Sequence, residues 1–129
     1  MTRYLISFDD GWMTFPEEDL PAVAEAALAV AREAQDAGVW VYGAGLESQR
    51  ASIVQTNGLV TDGPFPETKE VIGGFAVVDV DSREEALEWA AKIAAACRCA
   101  QEVREILPEP PGLKQDAPQA RSQQPEPAR

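Results

Sequence analysis

The residues best suited to chemistry lie in the stretch from Asp62 to Glu70, where acidic side chains and a lysine stand close together. Asp62 is followed by Gly63 and Pro64, two residues that restrict the backbone to a turn and could hold the carboxylate with a fixed aim. We predict that Asp62 acts as a base or as an anchor for a substrate. Lys69 or Glu70 would supply the second group of the site.

The chain contains no histidine. Histidine is the usual general base near neutral pH and a common metal ligand, so Ser-His-Asp, Cys-His and His-metal schemes are all excluded. The only cysteines, Cys97 and Cys99, are two residues apart near the end of a predicted helix and cannot easily share a metal or an unstrained disulfide. The sequence therefore predicts buried or idle thiols, no metal and no organic cofactor.

The residues of this turn could also have a purely structural role. Asp62 could cap its own turn through a bond from its side chain to the backbone, with Gly63 and Pro64 fixing the bend and Phe65 filling the core. In the functional interpretation, Gly63, Pro64, Phe65 and Trp12 line a cleft. Trp12 could instead bury core or interface area, as large aromatic residues near strand ends usually do.

Length and charge limit the class of protein. The chain has 129 residues, 45% of them hydrophobic, which is enough for one domain. Its net charge of −11 would repel nucleic acid and anionic membrane surfaces at long range, so neither is expected as a partner. No apolar run approaches the roughly 18 residues of a membrane span, and the N-terminus lacks the features of a signal peptide. We expect a cytoplasmic protein.

Hydrophobic spacing and turn residues predict the elements that position these side chains. Asn57-Gly58 is typical of a two-residue hairpin turn, and Ser82 with Glu85 forms a capping-box signature at the start of a helix. In order, we predict a strand over 3–8, a helix over 17–37, a strand over 39–42, a hairpin over 52–61, a strand over 71–80, a helix from 83 to 96 and a strand over 101–107.

This order is a split pair of βαβ units, which predicts an α+β domain over residues 1–107, with four strands and both helices on one face of the sheet. The other face then needs a cover, and a second copy of the chain would provide it, so we predict a homodimer. Residues 108–129 are rich in Pro and Gln and nearly devoid of large apolar residues, which predicts a disordered tail.

The string from Leu59 to Phe75, with Asp62-Gly63-Pro64-Phe65 near its start and Gly73-Gly74-Phe75 at its end, resembles the DGPF signature of the YCII-related family. Other segments resemble that family's pattern in the same order. The resemblance implies a ferredoxin-like, dimeric α/β-barrel fold, here with a β-hairpin insertion after strand two, and a cleft. Better-studied relatives are associated with a His-Asp pair, whose histidine this chain lacks.

Two functions follow from these observations. The first is a small-molecule-binding or enzyme-like dimer with its cleft at the DGPF loop, using Asp62 with Lys69 or Glu70 and no histidine or metal chemistry. The alternative is a non-catalytic regulatory dimer that contacts another protein. The resemblance adds that relatives of the chain are often encoded near sigma factors.

Overall fold

The computed structural model describes residues 1–47, 51–65 and 71–113, and these contain all the predicted helices and strands. The boundaries differ from the predicted ones by a few residues, mainly because Gly43, Ala44 and Gly45 continue the second strand. The elements are β1 (Thr2–Asp9), α1 (Leu20–Asp36), β2 (Trp40–Gly45), β3 (Ser52–Val54), β4 (Val60–Asp62), β5 (Ile72–Val80), α2 (Arg83–Cys97) and β6 (Glu102–Glu105).

The main sheet has the strand order β2-β5-β1-β6 with every neighbouring pair antiparallel, which is the ferredoxin-like arrangement expected from a split pair of βαβ units. Tyr4 lies opposite Val78 and Ile6 opposite Ala76, and all four side chains are buried under the helices. The predicted alternation of β1 is therefore confirmed. Leu5 and Val77 pair on the other side of the sheet, here called the outer face.

The hydrophobic core fills only one end of the layer between the helices and the sheet. Ala34 of α1 and Ala86 and Ala90 of α2 belong to a single buried cluster with residues of the sheet. That cluster consists of Tyr4, Ile6, Ala34, Val39, Val78, Val80, Ala86 and Ala90, with Trp40, Trp89, Ile93 and Val103 packed against it. Val23, on the first half of α1, is buried but lies outside the cluster.

Helix α1 begins later than the sequence predicts. Residues Glu17–Asp19 form a single 3-10 turn, and the α-helix starts at Leu20, with Pro21 in the first turn as expected. The spacing of apolar residues in the sequence predicts one buried stripe on this helix, formed by Leu20, Val23, Ala27, Val30 and Ala34. Val23 and Ala34 are buried, but Leu20 is 52% exposed. The prediction for Leu20 was wrong because the layer beneath this end of the helix is not filled with side chains.

Helix α2 is capped as predicted, because the Ser82 hydroxyl accepts a hydrogen bond of 3.1 Å from the Glu85 N–H. Two ion pairs join it to α1. Lys92 pairs with Glu33, and Arg98, which follows the last residue of α2, pairs with Asp19 at 2.8 Å. Surface ion pairs of this kind contribute little to the stability of a fold, so their main effect here is on the orientation of α1.

The predicted hairpin forms a separate two-stranded sheet, β3 with β4. Its turn is longer than expected. The Gln55 N–H donates to the Leu59 carbonyl and the Gly58 N–H to the Gln55 carbonyl, which leaves a loop of three residues rather than two. Gly58 takes a φ of +89°, the left-handed conformation that closes such three-residue loops.

Among the described helices, none combines the length and the apolar character that crossing a bilayer would require. Most of the predicted disordered tail, residues 108–129, lies outside the described residues. Its first six residues, 108–113, are exposed.

Candidate functional site

An apolar cavity of about 720 Å³ lies between α1 and the helix-facing side of the sheet, at the end that the core does not fill. We call it the α1 groove. One wall is the inner side of α1, from Leu20 to Gln35, and the other is formed by β2, β5 and the end of β1. The side chains that give the groove its character are Leu20, Val23, Leu28, Met13, Phe8 and Ile93.

The groove is hollow because small residues face each other across it. On α1, the residues Ala24, Ala27 and Ala31 line it, and none of them reaches far towards the sheet. On β2, Gly45 lines the opposite wall, and a Cβ built at this position meets no atom within 4 Å. If this layer were packed to the density of an ordinary protein interior, it would have larger side chains at these positions.

Trp40 and Gly43 form the floor of the groove near the core. The indole lies directly over Gly43, and a Cβ at that glycine would stand 2.6 Å from Trp40 Cη2 and 2.9 Å from the Phe75 carbonyl oxygen. Only glycine permits this close approach. Sequence reasoning interpreted Gly43 and Gly45 as residues that follow a strand and missed this role, because Trp40 reaches Gly43 only once the strand has formed.

Few polar side chains line the groove. Among the described lining residues these are Asp10, Gln35, Gln101 and the thiol of Cys97. Burial, and secondarily the neighbouring Cys99, raises the pKa of the Cys97 thiol above its ordinary value. The Gln101 amide donates to the Cys99 carbonyl at 3.3 Å and lies 3.5 Å from Cys99 Sγ. Both cysteines are free, as predicted.

Asp9 holds the turn that forms one end of the groove. One of its carboxylate oxygens accepts a hydrogen bond from the Gly11 N–H and the other from the Val71 N–H, both at 2.7 Å. The Asp10 N–H in turn donates to the Val71 carbonyl at 2.7 Å. The sequence Asp9-Asp10-Gly11 predicts a turn after β1, and the 3-10 turn over Asp10–Trp12 confirms it. The contact with Val71 spans 62 residues of sequence, so no local pattern could reveal it.

A second and smaller cavity, about 170 Å³, lies on the outer face of the sheet. Trp12, one of the residues predicted to line a cleft, forms part of its wall with Leu5, Ser7 and Arg104. Ser7 is only 6% exposed although its side chain lies on the outer face of the sheet. Arg104 pairs with Glu102 at 3.0 Å on the rim of this cavity.

The DGPF residues lie on the hairpin rather than in either cavity. Asp62 is the last residue of β4, pairs with Ser52, and has an exposed side chain without a hydrogen bond to any described residue. Among residues 51–65 and the rest of the described chain, no backbone N–H group donates to Asp62, and the alternative in which it caps its own turn stays a prediction. Phe65 is 49% exposed and does not fill the core.

None of Asp62, Gly63, Pro64 and Phe65 lines the α1 groove or the smaller cavity on the outer face. Lys69 and Glu70 lie outside the described residues. The assignment of Asp62, Lys69 and Glu70 as catalytic residues stays a prediction. In the part of the chain that the structure describes, no three His, Cys, Asp or Glu side chains form a group that could hold a metal ion.

The strand order, the two helices on one face and the hairpin between β2 and β5 define a ferredoxin-like α+β domain with an insertion. The model of the YCII-related domain family matches residues 4–110, so the chain belongs to that family, as its resemblance predicted.

Comparison with solved structures finds similarity to 5-chloro-2-hydroxyhydroquinone dehydrochlorinase from Burkholderia phenoliruptrix, determined in complex with 2,5-dihydroxybenzoquinone. The two chains are 15% identical, and the match covers 79% of this chain and 90% of the other, with a TM-score of 0.45. Comparison with curated proteins finds no match.

Proposed function

We propose that this YCII-related protein binds a small, largely apolar molecule in the α1 groove. The observation that carries the proposal is the hollow half of the layer between helix and sheet, about 720 Å³ in volume and lined mainly by apolar side chains. Ligand sites in proteins are typically concave, mostly apolar and of this size, with a few polar groups that fix orientation. Gln35, Gln101 and Asp10 are the polar groups available here.

The energetics favour an occupant. The apolar walls of the groove face water, with Leu20 52% and Leu28 48% exposed, and the apolar surface removed from water by a ligand would stabilise the complex by about 25 cal/mol per Å². The walls are formed by helices and strands, and α1 is joined to α2 by Lys92–Glu33 and Arg98–Asp19. A site built on such elements is largely formed before a ligand arrives.

Cys97 provides a direct measurement of occupancy because it lines the groove and is one of only two cysteines. In a Cys99→Ser background, a thermal-shift screen of apolar metabolites would be followed by the rate of Cys97 alkylation with a maleimide. The thiolate is the reactive form, so the raised pKa makes the reaction slow at neutral pH and faster as pH rises. A ligand at about a hundred times its dissociation constant should slow labelling about a hundredfold.

The variant Asp62→Asn separates this site from the one that the sequence predicts. If the α1 groove binds the ligand, the substitution should leave both the thermal shift and the protection of Cys97 unchanged. Hits that are lost with Asp62→Asn but never protect Cys97 would instead support a cleft at the DGPF loop. A screen without a hit would contradict the proposal and leave the regulatory alternative as the better one.

We also infer that the protein is a homodimer that pairs through the outer face of the sheet. The centre of this face is apolar and consists of Leu5, Val77, Phe75 and Tyr42. The ring centroids of Tyr42 and Phe75 are 5.9 Å apart. Tyr42 is 59% exposed, and an apolar patch of this kind on a surface is typical of a contact with another protein chain.

The substitution Val77→Asp tests the dimer because Val77 pairs with Leu5 at the centre of the outer face. Light scattering of the native chain should give twice the chain mass of 13.9 kDa at micromolar concentration, and the variant should give the single mass. Burying an unpaired charge in an interface is costly enough to dissociate it. The matched control Ala29→Asp, on the exposed side of α1, should stay dimeric. A native chain of 13.9 kDa would contradict the inference.

A further inference from the structure

The shape of the α1 groove follows the helix that forms its wall. The lining residues of α1 run from Leu20 to Gln35, and at about 1.5 Å per residue this stretch is about 22 Å long. Ala24, Ala27 and Ala31 lie between these two ends and also line the groove. The groove therefore extends along most of α1, and we call it a trough.

The charge in the described lining of the groove is negative only. Asp10 is the only charged residue among its described lining residues, and no Lys or Arg is among them. Lys92 and Arg98 are paired with Glu33 and Asp19 at the surface, and Arg32 of α1 is exposed and does not line the groove. The whole chain carries a net charge of −11, which adds a long-range repulsion for anions.

An anionic ligand would thus lose its hydration without gaining a counter-charge, and a buried carboxylate without a partner is strongly disfavoured. A hydroxyl or an amide can instead exchange hydrogen bonds with an amide side chain. Gln101 is half-buried at one end of the trough, and Gln35 stands at the other. The polar groups present are suited to an uncharged head group.

We propose that the ligand class of the α1 groove is an elongated aliphatic molecule with an uncharged polar head, such as a long-chain alcohol or amide, and not a fatty acid or another anion. This proposal rests on the proposed function and specifies its ligand. The body of the ligand would lie along Ala24, Ala27 and Ala31, and its head would bond to Gln101, which is half-buried, whereas Gln35 is exposed.

The test measures protection of Cys97 in the full chain carrying Cys99→Ser, with hexanol, octanol, decanol, dodecanol and decanoate as probes. Each added CH₂ should tighten alcohol binding about fourfold through dodecanol, because each is buried in a trough long enough to accept it. Decanol should bind about tenfold or more tighter than decanoate. The difference in affinity between decanol and decanoate should decrease as the salt concentration is raised, because ionic screening weakens the repulsion of the anion.

The outcomes separate the two proposals. Decanoate binding as tightly as decanol would overturn the uncharged head, and an affinity that stops rising at octanol would overturn the elongated body, while either result leaves a ligand site in the groove. If no probe and no member of the metabolite screen protects Cys97, the proposed function itself fails. Gln101→Leu should reduce the affinity for decanol while leaving the gain per CH₂ unchanged.

Discussion

Replacing Ala27 with Phe should weaken ligand binding in the α1 groove by about tenfold or more while the protein still folds. Ala27 is half-buried at the middle of the helical wall, and the space it faces is empty. A phenyl ring therefore occupies volume that the ligand needs, and the new apolar contacts within the protein offset part of the cost of placing it there. Calorimetric titration with decanol, or with any hit of the screen, measures the effect.

The matched control is Ala29→Phe. Ala29 lies two residues further along α1, on the opposite side of the helix, where it is exposed and does not line the groove. It should leave the affinity within about twofold of the native value, since surface substitutions rarely change a distant site. Equal losses in the two variants would show that the ligand does not bind between α1 and the sheet.

Replacing Gly43 with Ala should destabilise the fold by about 1–3 kcal/mol. The added methyl group would stand 2.6 Å from Trp40 Cη2 and 2.9 Å from the Phe75 carbonyl oxygen, so the indole or the strand must move. Trp40 packs against the buried core cluster, and displacing it disturbs contacts well beyond the glycine. Urea unfolding followed by tryptophan fluorescence would report the change in the free energy of unfolding.

Gly45→Ala is the control for this prediction because it makes the same change two residues along the same strand. A Cβ at Gly45 meets nothing within 4 Å, so the free energy of unfolding should stay within about 0.5 kcal/mol of the native value. If the two variants lose stability equally, the contact with Trp40 is not the cause of the loss at Gly43.

Local patterns account for the parts of the fold that the sequence predicted well. Alternation identified the buried side of β1, Ser82 marked the start of α2, and Asn57-Gly58 marked the hairpin, because each signal depends on residues a few positions apart. The order of elements then limited the sheet to few topologies. Errors were confined to ends and turns, such as the start of α1 at Leu20, where competing local hydrogen bonds differ little in energy.

The candidate site could not be predicted in the same way. Sequence reasoning favoured Asp62, Lys69 and Glu70 because charged residues beside a Gly-Pro turn are typical of functional loops. The α1 groove instead arises from residues without chemical character, the alanines of one helix and a glycine of a strand. None of these residues indicates a site by itself. The space exists because small residues on the helix face a small residue on the strand.

The sequence by itself determined the order of helices and strands, the family and the absence of histidine chemistry, because these depend on composition and on local spacing. The tertiary structure alone decided which half of the interior is filled and which is hollow. Packing depends on residues that are far apart in sequence, such as Ala27 and Gly45 or Asp9 and Val71. Their relative positions depend on the strand order and register of the whole sheet.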